Sequence, residues 1–275
     1  MKQSNKQKKI IIYVLSVSIV VLLSAFWITF AFIEVNSSST REYRTYKGTQ
    51  LIAENGDCKT HLKNSLKAFL SSAQDAKFNG IKTEIRQTAD GIWVCSDTDT
   101  PFKNHSVKIS QINYETAKKL PLDNSAISTD ADEAVFLTSL EEFLSICSEY
   151  YKTAIIEPQG TFSNESLISV TENAIEFYSN EKVIFMSADL NVIKTIKSKN
   201  SFIKTLITAS SNIEAFCYAQ MKYSVTIPEK RLSEKIVKRI HNNYNYVCVL
   251  NVPKLTDYNK YSSLYVDYVI VKTDN

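Results

Sequence analysis

Residues 82–97 read KTEIRQTADGIWVCSD, and this stretch decides how the rest of the chain is interpreted. Its β-branched and aromatic residues predict strands over 81–85 and 92–96. Charged residues at 82, 84 and 86 alternate with apolar or neutral ones, so one face of the first strand is charged. Burying such a face is costly unless each charge is paired. We therefore expect Glu54, Asp97 and Glu157 to lie beside it as partners.

Similar short apolar runs recur along the chain from residue 49 onward. We predict nine strands, at 51–54, 81–85, 92–96, 154–158, 183–187, 202–207, 223–227, 246–251 and 267–271. Helix-period segments separate them at 61–77, 110–120, 139–150, 164–178, 189–198, 229–242 and 254–262. This alternation predicts a parallel sheet, and its length favours a (β/α)8 TIM barrel in which one of the nine strands is auxiliary or wrong. No glycine-rich phosphate loop follows the first strand, which disfavours an open doubly wound sheet.

In such a barrel the functional side chains lie at the carboxyl ends of the strands, where the loops form the mouth. The residues predicted at those positions are Glu54, Asn55, Glu84, Arg86, Ser96, Asp97, Glu157, Gln159, Ser187 and Asn251. Two interpretations stay open at this point. These residues form ion pairs that close the mouth, or they form a ligand site.

The first 48 residues have a different character. Residues 1–9 are a basic tail, and residues 10–33 are an uncharged run that, as a helix, is long enough to cross a hydrocarbon core of ~30 Å. We predict an uncleaved transmembrane helix, because the run exceeds a signal-peptide core and no A-x-A-like cleavage site follows. Residues 34–48 form a polar stalk, and 49–275 form the barrel. The basic tail predicts a single-pass cell-membrane protein with its N-terminus cytoplasmic and its barrel outside the cytoplasm.

Composition excludes several classes of protein. The 275 residues include 5 Gly, 5 Pro and 5 Cys, which excludes collagen-like, low-complexity and disulfide-scaffold chains. The formal charge is +3, but four lysines belong to the basic tail, so the rest is nearly neutral and offers nucleic acid no basic surface. The cysteines are widely spaced and include no C-x-x-C, which indicates neither a zinc site nor a disulfide framework.

Eight fragments, in order, resemble the glycerophosphodiester phosphodiesterase family of the PLC-like phosphodiesterase superfamily. They are LIAENG (51–56), KNSLKAF (63–69), KTEIRQTADGIWVCSD (82–97), TSLEEFL (138–144), IIEPQ (155–159), VIFMSADLNVIKTI (183–196), VCVLN (247–251) and YVDYVIVKTDN (265–275). The resemblance implies a TIM barrel and a phosphoric diester hydrolase of lipid metabolism. It also implies two histidines as acid and base, an arginine on the phosphate, and a divalent cation held by carboxylates.

The chain departs from the family pattern at most of those positions. The replacements are histidine by Glu54, arginine by Asn55, glutamate by Lys63, glutamate by Lys82, aspartate by Glu84, histidine by Ser96 and lysine by Gln159. The family residues that are kept are Gly56, Asn64, Asp97 and Glu157. Both acid–base histidines, the arginine and one metal carboxylate are therefore replaced.

These departures change the expected chemistry. An ammonium at Lys82 repels a divalent cation and can take its place between Glu84 and Glu157. Ser96 cannot act as a base, and a glutamate with a reference pKa of about 4.3 matches proton transfer at neutral pH poorly unless burial raises it. We therefore expect no cofactor, with calcium or magnesium held by Glu84 and Glu157 only if the protein is an active enzyme.

The three histidines fit structural roles better than catalytic ones. His61 falls at the predicted start of the first helix and His105 in the loop after the third strand, where surface or capping roles are expected. His241, near the end of a basic helix, is expected to complement the helix dipole.

Our first hypothesis is a degenerate, membrane-anchored phosphodiesterase-like barrel that binds or scaffolds. Its expected ligand-binding residues are Asn55, Lys82, Asp97 and Gln159, and its expected ligand is a glycerophosphodiester, a lipid headgroup or an envelope polymer. Three alternatives stay open. They are an active phosphoric diester hydrolase with Glu54 as the proton-transfer group, a glycosidase using Glu54 and Glu157, and a purely structural ectodomain.

Overall fold

The structure is a computed structural model that describes residues 17–22, 46–125, 134–253 and 258–273. The chain divides into two units, Met1–Glu42 and Tyr43–Asn275. In the first unit the described residues, 17–22, are helical and exposed. The predicted basic tail, and most of the predicted transmembrane helix and stalk, lie outside the described residues. Among the helices that are described, none has the length and apolar character needed to cross a membrane.

Nine β-strands organise the described part of the second unit. They are β1 (Gln50–Glu54), β2 (Gly80–Gln87), β3 (Trp93–Cys95), β4 (Thr153–Pro158), β5 (Val183–Ser187), β6 (Lys204–Thr208), β7 (Ser224–Pro228), β8 (Val247–Val252) and β9 (Tyr268–Val271). Eight of them are parallel in the order β1-β9-β8-β7-β6-β5-β4-β2, and pairing of β1 with β2 closes the sheet into a barrel. The predicted TIM barrel is confirmed. The auxiliary strand is β3, which pairs antiparallel with the end of β2.

Eight α-helices and two short 3₁₀ segments connect these strands within the described ranges. The helices are α1 (Leu66–Gln74), α2 (Tyr114–Ala117), α3 (Leu140–Glu149), α4 (Asn164–Phe177), α5 (Leu190–Lys199), α6 (Asn212–Gln220), α7 (Glu234–His241) and α8 (Tyr258–Ser263). The 3₁₀ segments are Ile109–Gln111 and Glu229–Arg231.

Three predicted helices are shorter than expected, and in two of them a polar side chain caps the chain inside the predicted span. Ser65 accepts a hydrogen bond from the backbone N–H of Ala68, so α1 begins at Leu66 rather than at residue 61. Asn113 caps α2 in the same way, which separates it from the preceding 3₁₀ segment. The predicted helix 229–242 divides into a 3₁₀ segment and α7, and Ser233 at the start of α7 makes no side-chain capping hydrogen bond. Residues 254–257, the predicted start of the last helix, lie outside the described residues.

Two apolar layers follow from the alternation of side chains along the strands. One cluster consists of strand residues and contains no helical ones, and it fills the barrel interior. Its members are Ile52, Ile155, Ile184, Met186, Leu206, Cys248, Tyr268 and Ile270. The opposite strand faces pack against the helices, as Ile81 and Ile156 do in a cluster with Phe69 and Phe143. The interior is therefore apolar below the level at which Lys82 and the carboxylates lie.

Candidate ligand site at the barrel mouth

Strand register brings four charged residues together at the carboxyl end of the barrel. Glu54 ends β1 and pairs in register with Lys82 of β2, while Glu84 of β2 pairs in register with Glu157 of β4. Lys82 Nζ lies 2.9 Å from Glu157 Oε2 and 3.8 Å from Glu54 Oε1, and it also donates to Glu84 Oε1. The predicted pairing of Lys82 with Glu84 and Glu157 is confirmed. We call these four residues the mouth cluster.

Neighbouring carboxylates keep the Lys82 side chain charged. Its side chain is only 4% exposed, and burial alone would lower its pKa. The carboxylates of Glu84 and Glu157 outweigh that effect and raise the pKa of Lys82 above its ordinary value. The ammonium is therefore permanently protonated at physiological pH.

The carboxyl of Glu54 is perturbed by its burial in the mouth cluster. Burial raises the pKa of its carboxyl, and the nearby carboxylate of Glu84 adds to that rise, although Lys82 opposes it. Its Oε2 atom is buried and has no hydrogen-bond partner among the described residues, and the same is true of Glu84 Oε2. Glu54 thus retains a proton at higher pH than an exposed glutamate does.

The residues present do not fit a divalent metal ion. A hard cation needs several converging oxygen ligands, and an ammonium group already lies among the oxygens of the mouth cluster. Within the described ranges, no group of three or more histidine, cysteine, aspartate or glutamate side chains is arranged to hold a metal ion.

The loop after β1 holds Asn55 beside the mouth cluster. Asn55 has a positive φ of 61°, and its backbone N–H donates to the Lys82 carbonyl at 2.8 Å. Gly56 follows with a φ of 86°, and a Cβ there would lie 2.6 Å from the carbonyl carbon of Ala68. Glycine is thus required for the loop to approach α1. The Asn55 Oδ1 atom is buried without a partner in the described residues.

Ser96 and Asp97 lie beyond the end of β3 but do not join the mouth cluster. Ser96 Oγ donates to the Thr98 carbonyl at 2.7 Å, so its hydroxyl hydrogen is already used. The Asp97 carboxylate pairs with Lys63 at 2.5 Å. The expectation that the Asp97 carboxylate pairs with the charged face of β2 is wrong, because Arg86 of that face instead donates to the Asp97 backbone carbonyl at 2.9 Å.

Gln159 follows β4 and is held by its backbone, whose N–H donates to the Ile85 carbonyl at 2.9 Å. It lines a cavity of about 460 Å³ together with Glu157, Gly160, Phe162 and Asn191. A smaller cavity of about 180 Å³ lies on the other side of the mouth, where Ser96, Asp97 and Lys63 contribute to its walls. Gln159 thus lies on one of these two cavities, and Ser96 and Asp97 lie on the other.

The three histidines lie away from the mouth cluster. His61 precedes α1 in a loop instead of starting a helix. His105 is exposed on the wall of the smaller cavity, 3.4 Å from Asp123.

His241 ends α7 as predicted, but its ring is fully buried, and its Nε2 lies 2.9 Å from the Tyr265 carbonyl oxygen. Burial lowers the pKa of His241, so the ring is neutral at neutral pH and the expected charge–dipole interaction is absent.

Sequence reasoning missed the roles of Lys63 and Arg86. Lys63 stands where the resemblance places a glutamate, and the reversal of charge was the available signal for its pairing with Asp97. Arg86 shares the alternating face of Lys82 and Glu84, which placed it at the mouth but did not reveal its contacts.

These features define a TIM barrel whose mouth carries a lysine inside a carboxylate cluster. No protein-family model matches the chain, and no curated protein matches it. Solved structures do match, and they are glycerophosphodiester phosphodiesterases.

A phosphodiesterase of Oleispira antarctica, in complex with the product sn-glycerol-3-phosphate, matches with a TM-score of 0.68 at 15% identity, covering 81% of this chain and 92% of that one. A glycerophosphodiester phosphodiesterase of Parabacteroides distasonis gives 0.65 at 16% identity, covering 82% and 92%. That of Thermotoga maritima gives 0.63 at 21% identity, covering 81% and 94%. The chain therefore has the fold of the glycerophosphodiester phosphodiesterases, as the fragments at 51–275 predict.

Proposed function

We propose that this protein is a membrane-anchored barrel that lies outside the cytoplasm and binds a ligand at its mouth without hydrolysing phosphodiesters. One observation carries the proposal: the ammonium of Lys82, 4% exposed, lies among Glu54, Glu84 and Glu157. A divalent cation would have to displace a charged side chain that its neighbours stabilise.

The other replacements also remove groups that hydrolysis of a phosphodiester would need. Ser96 is engaged with Thr98 and has no basic group to offer. Asn55 carries no charge with which to stabilise a phosphate, in contrast to the guanidinium that the resemblance places there. Loss of an acid–base pair, a guanidinium and a metal together leaves no complete set of groups for the family's reaction.

The ligand is a glycerophosphodiester-type group, carried by a lipid headgroup or an envelope polymer. The complex of the Oleispira antarctica phosphodiesterase with sn-glycerol-3-phosphate supports this class, because that protein shares the fold. Asn55, Lys82, Asp97 and Gln159 are the residues of this chain that would contact it. The apolar run at 10–33 and the lysines before it support the membrane anchor and its orientation.

A second function is favoured by the carboxyl of Glu54. Its pKa is raised by burial, which brings a glutamate nearer to the range needed for proton transfer at neutral pH. In that case the protein is an active phosphoric diester hydrolase with a rearranged site, and Glu54 replaces a family histidine.

An assay of the full-length protein in detergent separates the two functions. Glycerophosphocholine is supplied with calcium or magnesium, and release of glycerol 3-phosphate is followed. We expect no turnover above the level of the Glu54→Gln variant. Metal-dependent turnover that is abolished by Glu157→Ala would contradict the binding function, and turnover abolished by Glu54→Gln alone would establish the rearranged hydrolase.

A further inference from the structure

Arg86 is a charged residue at the mouth for which no described side chain provides a counter-ion. It follows Glu84 on β2 and is half-buried. Its Nη2 donates to the Asp97 carbonyl at 2.9 Å, while its Nε is buried and has no acceptor among the described residues. The other two cations discussed in this region, the exposed Lys63 and the buried Lys82, each have a carboxylate partner.

An incompletely paired guanidinium in this position is costly. The group offers five N–H donors in a planar fork, and a partly buried charge loses hydration that one neutral carbonyl does not replace. Such a group is normally balanced by a carboxylate or another oxyanion. Within the described ranges, no side-chain carboxylate makes an ion pair with Arg86, since Asp97 is paired with Lys63 and Glu157 with Lys82.

The absence of a side chain at Gly160 leaves room for the guanidinium of Arg86. Gly160 has a φ of 88°, and a Cβ there would lie 3.2 Å from Nη1 of Arg86. The loop after β4 is thus shaped so that the guanidinium lies against backbone. Gly160 also lines the cavity of about 460 Å³, together with Gln159, whose amide can supply further hydrogen bonds. The guanidinium therefore lies directly behind a glycine that lines a space large enough for a small ligand.

We propose that Arg86 binds an oxyanion of the ligand at the edge of this cavity, between the end of β2 and the loop after β4. The inference rests on the proposed function and adds to it the residue that fixes the ligand's anionic group. The guanidinium fork matches two oxygens of either a phosphate ester or a carboxylate. The anion thereby binds beside the mouth cluster and not inside it, because the carboxylates inside the cluster would repel it.

The test measures binding of inorganic phosphate and of acetate to the full-length protein by isothermal titration calorimetry. We expect at least one of them to bind, and Arg86→Gln to weaken that binding by about tenfold or more, because a charge-assisted pair is lost. Tighter binding of phosphate would assign the ligand to phosphate esters, and tighter binding of acetate to carboxylates. Arg86→Lys keeps the charge without the fork, and we expect an intermediate loss.

Arg231 supplies a matched control. It lies in the 3₁₀ segment after β7, at the same end of the barrel, is half-buried, and also has a buried Nε without an acceptor in the described residues. Arg231→Gln should change the affinity less than about twofold. Three results would overturn the inference. They are equal losses of affinity in both glutamine variants, unchanged affinity in Arg86→Gln, and no binding of either anion at concentrations on the order of 10 mM. None of these results depends on turnover, so the inference and the proposed function fail separately.

Discussion

The two ends of the barrel deal with buried charge in opposite ways. At the carboxyl end, Lys82 is surrounded by carboxylates that raise its pKa, so the charge is kept. At the amino end, His241 and Asp267 are also buried, with side chains 0% and 5% exposed and 3.5 Å between Nε2 and Oδ2. There burial lowers the pKa of His241 and raises that of Asp267 to about 7.

The difference lies in what each group contacts. Asp267 accepts a hydrogen bond from the Val247 backbone N–H at 2.7 Å, and His241 lies against the Tyr265 carbonyl. The pair therefore joins α7 to the starts of β8 and β9 through backbone polar groups. In the mouth cluster, one ammonium lies among three carboxyl groups. A buried group keeps its charge where the opposing charge exceeds the cost of desolvation, and becomes neutral where it does not.

The largest expected effect comes from removing the ammonium. Lys82→Met leaves the acids of the mouth cluster without a counter-charge, and breaking a buried pair in this way costs about 3–5 kcal/mol. Thermal and urea unfolding of the full-length protein at pH 7 should show that loss, and it should shrink at acidic pH as the carboxyls become protonated. A Lys82→Met variant as stable as the wild type at pH 7 would mean that the cluster is not held by its lysine.

At the amino end of the barrel we expect a smaller effect on stability, and this effect depends on pH. The folded-state pKa of Asp267 is raised above its unfolded value of 3.8 to about 7, so its contribution to stability is fully present below 3.8 and is lost as the pH rises through 7. Relative to Asp267→Asn, the wild type should therefore gain stability as the pH falls from 7 to 4, by up to about 1.4 kcal/mol per pKa unit. Urea unfolding at several pH values measures this difference.

A less buried aspartate, Asp123, provides the control for that experiment. A hydrogen bond from Ser125 lowers the pKa of Asp123, so its contribution has the opposite sign. The wild type should lose stability relative to Asp123→Asn as the pH falls. If the stability difference between wild type and Asp267→Asn does not change with pH, the carboxyl of Asp267 is not perturbed by burial.

The smallest effect on the free energy of unfolding is expected at the rim of the mouth. Lys63 pairs with Asp97, but their side chains are 51% and 33% exposed, so solvent screens the pair. Lys63→Met should change the free energy of unfolding by less than about 1 kcal/mol. A loss comparable with that of Lys82→Met would show that burial does not distinguish the two lysines.

Local pattern was enough to predict much of the fold and part of the site. The alternation at 81–86 located β2, and a lysine where the resemblance places a metal carboxylate predicted the pairing of Lys82 with Glu84 and Glu157. Both depend on strand register, which the period of two determines.

Contacts between loops and helices were not predictable in the same way. The pairing of Asp97 with Lys63 depends on how the loops after β1 and β3 meet. The neutral state of His241 depends on packing against Tyr265 and Asp267, both more than twenty positions away in the sequence. The late start of α1 within the predicted helix 61–77 depends on which of several polar residues caps it, and Ser65 does so.

Calcium binding to the full-length protein tests the central claim most directly. Calorimetry with calcium should give no binding that is sensitive to Glu84→Gln, while Lys82 remains in place as the cation of the mouth cluster. Calcium binding that is abolished by Glu84→Gln or Glu157→Ala in the presence of Lys82 would contradict it, because a divalent ion would then share those carboxylates.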